Sequence, residues 1–213
     1  MKLRTANDLL DHLDQEMAWR IKELHQFKAA VENANEKRIN TQIRAGISML
    51  YAHWEGFIKG AANAYVNHLS YRADINRNLQ PCFVALAMKS TLSAVTASSK
   101  ASTAVTTVSF FIDEFDKPVR LPRSGAISAE SNLSSTVFLN IAGWLGIDPS
   151  PYSTRLTLID KTLLENRNYI AHGEYLTIDK DRFENLMVEV LEMLRWFKTD
   201  IENAVVNKSF LKT

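Results

Sequence analysis

Only seven glycines and five prolines punctuate this 213-residue chain, where average usage would supply roughly 25 of the two together. Turns are therefore scarce, and a chain with few places to turn must be built from long elements. With 46% hydrophobic and 23% charged residues, the composition is that of a globular protein whose long elements are helices. The length suits one domain over 1–213, with 98–152 as a less regular insertion. A single cysteine, Cys82, rules out an internal disulfide framework and a cysteine-built zinc site.

Hydrophobic spacing marks out the helices. Thr5-Ala-Asn-Asp8 has the form of a capping box, and Leu10, Leu13, Met17, Ile21, Leu24 and Val31 follow at helical intervals, predicting a helix over about 6–34. Ile39, Ile43, Ile47, Leu50, Trp54, Phe57, Ala61 and Tyr65 predict a second over about 37–69, antiparallel to the first. A helix is predicted after Pro81. Residues 90–109 are rich in Ser and Thr and poor in long aliphatic anchors, so their conformation stays open. Pro118, Pro122 and Gly125 beside Lys117, Arg120 and Arg123 predict an exposed basic loop over 116–131. A short helix over about 133–145 should end at Gly146. The last third predicts a helical hairpin, from Arg155 to His172 and again from Asp179. The fold class is thus all-α, an antiparallel bundle of about five to seven helices.

Net charge and hydropathy remove several function classes. The 25 Lys and Arg nearly cancel the 24 Asp and Glu, which speaks against broad, sequence-independent coating of nucleic acid. No apolar run of about 18 residues exists to span a bilayer, and the first residues turn acidic before a signal-peptide core could form. The expectation is a cytoplasmic protein with no membrane association. The five histidines form no pattern for a metal site, and no cofactor-binding motif is present, so no metal or cofactor is expected.

One residue breaks the apolar pattern. With Leu156 as zero and about 100° per residue, Ile159, Leu163 and Ile170 fall within about 60°, and Arg167 falls near 20°. A guanidinium in an apolar stripe needs a carboxylate, a carbonyl cluster, a second subunit or an anionic ligand, because an unpaired buried charge costs several kcal/mol. Five residues on, His172 precedes Gly173, which suits a left-handed helix cap. A helix C-terminus favours the imidazolium form, and Arg with His meets the minimum needs of phosphodiester cleavage without metal. The plain alternative is an Arg paired inside the core and a His that only caps the last turn. A second Arg-x4-His, Arg20 to His25, lacks the Asn and Gly context and is assigned to an ordinary helix face.

The run Leu164-Glu-Asn-Arg-Asn-Tyr-Ile-Ala-His-Gly173 resembles the HEPN superfamily (higher eukaryotes and prokaryotes nucleotide-binding domains), whose signature is Arg-x(4–6)-His with a polar residue after the Arg. Tyr51-Ala-His-Trp-Glu-Gly-Phe-Ile-Lys59 is similar to a run in its MAE-type prokaryotic branch. The resemblance implies a helical homodimer that cleaves RNA without metal, in toxin–antitoxin or antiphage defence settings, with an antitoxin or neighbouring defence protein as a further partner. It also implies roles: Arg167 on the scissile phosphate, His172 as general base or acid, and Asn168 orienting either. A branch controlled by AMP transfer carries Tyr two residues after the His; here that position is Glu174, with Tyr175 one place further on. A non-catalytic HEPN-like module for dimerisation or for nucleotide or protein binding is the alternative.

The second helix adds supporting candidates. Gly46, His53 and Gly60 recur every seven residues along one edge, where another helix could approach closely. His53 reads first as an interface histidine. Glu55 shares a face with Arg44, Ser48 and Lys59, and is either a salt-bridging surface residue or a polar group that positions Arg167 or His172. Arg120 and Arg123 are candidates for the rim of an RNA cleft.

Overall fold

The computed structural model describes residues 2–72 and 74–212. The capping box forms as read: the Thr5 hydroxyl accepts from the Asp8 N–H, and the Asp8 carboxylate accepts from the Thr5 N–H. It opens α1, Ala6–Glu32, which buries Leu9, Leu13, Met17, Leu24 and Val31. A three-residue link leads to α2, Glu36–Leu69, which is the axis of the molecule: α1, α6, α7 and α8 all pack on it. Its Trp54 meets Phe138 at 5.4 Å, and Phe138 in turn meets Tyr152 at 4.8 Å and Phe197 at 5.9 Å. These rings are fully buried and tie four chain segments into one core.

Beyond α2, Pro81 occupies the first turn of α3, Pro81–Ala87, where its missing N–H costs nothing. The Ser/Thr-rich stretch forms two helices, α4 (Lys89–Ala97) and α5 (Ala101–Ser109), which pack on each other, and neither contains a buried residue. Phe110–Glu114 then winds as a π-helix. α6, Ser135–Leu145, ends at Gly146 in the left-handed conformation, φ 64°. Asp160 caps its other end, accepting from the Ser135 N–H at 2.7 Å and from its hydroxyl. After α7, Glu165–Ala171, the Asp179 side chain caps α8, Lys180–Val206. The described residues hold eight α-helices and no strand, an all-α bundle.

Three expectations change. First, 116–131 is a loop whose basic side chains face out, but it is not exposed throughout. Val119, Leu121, Ala126, Ile127 and Ala129 are buried, and the stretch from Arg123 to Leu133 lies along α2 as a strap. Asn67 donates to the Arg123 carbonyl, Asn63 both donates to the Ile127 carbonyl and accepts from its N–H, and Tyr51 Oη accepts from the Leu133 N–H. Side chains of α2 thus satisfy backbone groups that a loop otherwise leaves to water. Second, 98–152 is not uniform in packing terms, because α6 buries Val137, Phe138, Ile141, Ala142 and Leu145 in the core while α5 contains no buried residue. Third, the last third is no simple hairpin: α7 packs on α2 rather than on α8.

Candidate active site

The segment leading into α7 decides where the motif points. Leu158–Leu164 winds as a π-helix, closed by a bond from the Glu165 N–H to the Asp160 carbonyl. A π turn takes up more residues than the 3.6 of an α turn, so every residue beyond it lags behind a count at 100°. Asn166 therefore takes the buried position, and Arg167 comes to the edge of the stripe, half-buried. The sequence expectation of an arginine in the middle of the apolar face is corrected by that change of winding.

At the edge, Arg167 meets neutral partners. Its guanidinium carbon lies 4.0 Å above the centre of the Tyr51 ring. Nη1 donates to Asn168 Oδ1 at 2.8 Å and Nη2 donates to Asn132 Oδ1. A guanidinium has five N–H groups, and none of the nitrogens of Arg167 is both buried and unpartnered. Tyr51 is held in turn. Burial, with a hydrogen bond to the Glu55 carboxylate, pushes its phenol up to about 12, so at neutral pH it stays a protonated ring whose hydroxyl also accepts from Leu133.

His172 ends α7. Gly173, at φ 77°, takes the left-handed position, and the Gly173 and Glu174 N–H groups return to the carbonyls of Ile170 (3.1 Å) and Tyr169 (2.9 Å). That is a Schellman close, which glycine makes without steric cost. Arg44 on α2 donates to the Glu174 carbonyl at 3.0 Å and fastens the chain just past the cap. The His172 side chain is exposed and lines an open groove with Asn168, Tyr169 and Glu165. Asn168 thus belongs to both halves, touching Arg167 and facing the groove of His172.

A family model for MAE-like HEPN domains matches residues 9–210. The chain belongs to the MAE-like HEPN family. No curated protein and no solved structure matches it.

Within this HEPN domain the supporting candidates separate. Glu55 reaches the site at one remove, through the Tyr51 hydroxyl. His53 does not: it is buried on the α1 side, with Nε2 2.9 Å from the Glu23 carboxylate and its ring 5.2 Å from that of Trp19. Of the glycines beside it, Gly46 lies against Phe183 of α8, while Gly60 has no neighbour within 4 Å of a Cβ position. Arg120 and Arg123 lie elsewhere. The Arg123 carbonyl is bonded to Asn67 and its guanidinium lies 4.9 Å from the Tyr71 ring. That is sixteen residues along α2 from Tyr51, about 24 Å at 1.5 Å per residue.

The second Arg-x4-His also departs from its reading as an ordinary face. Arg20 is only 6% exposed, its guanidinium bonded to the Glu16 carboxylate and stacked 4.2 Å from the Trp19 ring. Two residues that hold Arg167, Tyr51 and Asn132, carry no signal as site residues in the sequence. Tyr51 stood inside the run that carried the resemblance; Asn132, alone in a loop, gave no periodic signal.

Proposed function

We propose that this HEPN domain is a metal-independent endoribonuclease that acts as a homodimer, a toxin or defence effector. The observation that carries the reading is the arginine of the family signature: half-buried, firmly held, and bonded to no carboxylate. Its charge is available to a phosphodiester, and His172 stands exposed at the end of the same short helix.

In the reaction, one His172 imidazole takes the proton of a ribose 2′-hydroxyl as that oxygen attacks the adjacent phosphorus. The bond from phosphorus to the 5′-oxygen breaks, and the leaving oxygen takes a proton from the imidazolium of the second subunit. The products are a 2′,3′-cyclic phosphate and a 5′-hydroxyl. Arg167 binds the non-bridging oxygens and stabilises the charge that builds on them, and Asn168 keeps it in register with the groove. Two-fold symmetry supplies the second histidine.

One observation favours a non-catalytic reading. The groove of His172 carries Asp160, Glu165 and Glu174 against one lysine, Lys161, a balance better suited to a cationic partner protein than to RNA. The two readings part in one assay. Mixed RNA is incubated with the protein in EDTA, beside His172→Ala, with the oligomeric state of both followed by size-exclusion chromatography. The nuclease reading expects cleavage by the wild type and at least a hundredfold loss in the variant with an unchanged dimer. Equal cleavage by both, or none by a dimeric wild type, returns the domain to the binding-module class.

A further inference from the structure

Three of the anchored arginines in this fold are neutralised by carboxylates, while Arg44 is fastened to the uncharged Glu174 carbonyl. Arg20 is bonded to Glu16, Arg77 to Asp116, and Arg155 to Glu189. Arg167 is immobilised as thoroughly, by two hydrogen bonds and a ring face, yet every one of those partners is uncharged. An amide oxygen takes up a guanidinium N–H without cancelling the positive charge, and an aromatic face attracts a cation in the same way. A carboxylate at either position would hold the side chain more strongly and would also spend its charge internally. Two of the five N–H groups are engaged by the asparagines, which leaves three for a ligand.

We propose that Tyr51 and Asn132 are positioning residues for phosphate binding, forming with Asn168 a neutral cradle that fixes Arg167 while preserving its charge for an oxyanion of the RNA backbone. The inference rests on the nuclease reading for the identity of the ligand, but its logic needs only an anion. Tyr51 is itself oriented at its hydroxyl, by the Leu133 N–H and by Glu55, and the same strap that delivers the Leu133 N–H delivers Asn132. The cradle is thus assembled from α2, the strap and α7, three pieces of chain far apart in sequence. The working surface of Tyr51 is its ring, not its hydroxyl.

The decisive substitution is Asn132→Asp, which keeps the shape and converts a neutral acceptor into an anionic one. A purely structural role for Asn132 predicts that a new Arg167 ion pair leaves function intact. The cradle predicts opposite movements: a melting midpoint equal to or above wild type, with affinity for an uncleavable 2′-O-methyl oligoribonucleotide, read by fluorescence anisotropy, at least tenfold lower and the salt dependence reduced by about one phosphate contact. Tyr51→Phe should bind within threefold of wild type and Tyr51→Leu at least tenfold more weakly. Should Asn132→Asp bind as the wild type does, or should wild-type protein fail to bind the oligonucleotide, the cradle is overturned. Wild type that binds with this mutational pattern but never cleaves natural RNA retires the nuclease reading and leaves the cradle standing.

Discussion

The same substitution, glycine to alanine, should have opposite effects at two positions of α2. At Gly60 a Cβ meets nothing within 4 Å, so alanine brings only its better helix propensity, about 0.8–1 kcal/mol. At Gly46 a Cβ would stand 2.7 Å from both Cε2 and Cζ of Phe183, a ring that is fully buried and cannot swing into solvent. The propensity gain is then set against overpacking of about 1–3 kcal/mol, giving a net change between roughly zero and a 2 kcal/mol loss. In a chain of this size each kcal/mol moves the melting midpoint by about 2–4 °C. Gly60→Ala should therefore melt about 2–4 °C above wild type, and Gly46→Ala at or up to about 8 °C below it. Circular dichroism at 222 nm reads both, at one fixed protein concentration because association shifts apparent stability. Phe183→Leu in the Gly46→Ala background should recover part of the loss. A Gly46→Ala protein as stable as Gly60→Ala would refute the claim that α8 seats directly on this glycine.

Burial holds His12, His53 and His68 below the ordinary histidine value of 6.5. The unfolded chain binds protons at these sites near pH 6.5 while the folded chain still resists them, so stability is complete above about 6.5 and falls as the pH drops through the lower folded values. Melting midpoints from pH 8 to 5.5 should decline only below about 6.5, and a midpoint that rises on acidification contradicts this. The strap makes a separate demand: the Ile127 and Leu133 amides, bonded to Asn63 and Tyr51, should exchange with solvent as slowly as helical amides although they lie outside any helix. Asn63→Ala should release Ile127 alone, and fast exchange of both in the wild type would show that the strap is not fastened.

Legibility in the sequence followed the range of the interaction. Elements set by local signals were read closely: the capping box opened α1, Pro81 opened α3, and Gly146 and Gly173 closed the helices before them. The Ser/Thr-rich stretch was illegible because neither of its helices contains a buried residue and long aliphatic anchors are few. Arg167, Asn168 and His172 could be named from one ten-residue run. What holds Arg167 could not, since Tyr51 and Asn132 lie 116 and 35 residues away and neither breaks a local rule. Arg120 and Arg123 show the converse. Charge clustering in a loop is visible in the sequence, but the place where the strap begins along α2 is a tertiary fact, and it ties Arg123 to Asn67, about 24 Å along α2 from the tyrosine that carries Arg167.

The π-wound turn at Leu158–Leu164 makes the motif sensitive to chain length as well as to residue identity. Its extra residue is held by wider backbone bonding, so deleting one residue there would let the helix relax to ordinary α spacing with its hydrogen bonds intact. Everything downstream would then turn by about 100°, carrying Arg167 off the Tyr51 ring and His172 out of its groove. A single in-frame deletion would thus dismantle the arrangement while keeping every signature residue, and a comparison that scores only the residues would not detect it.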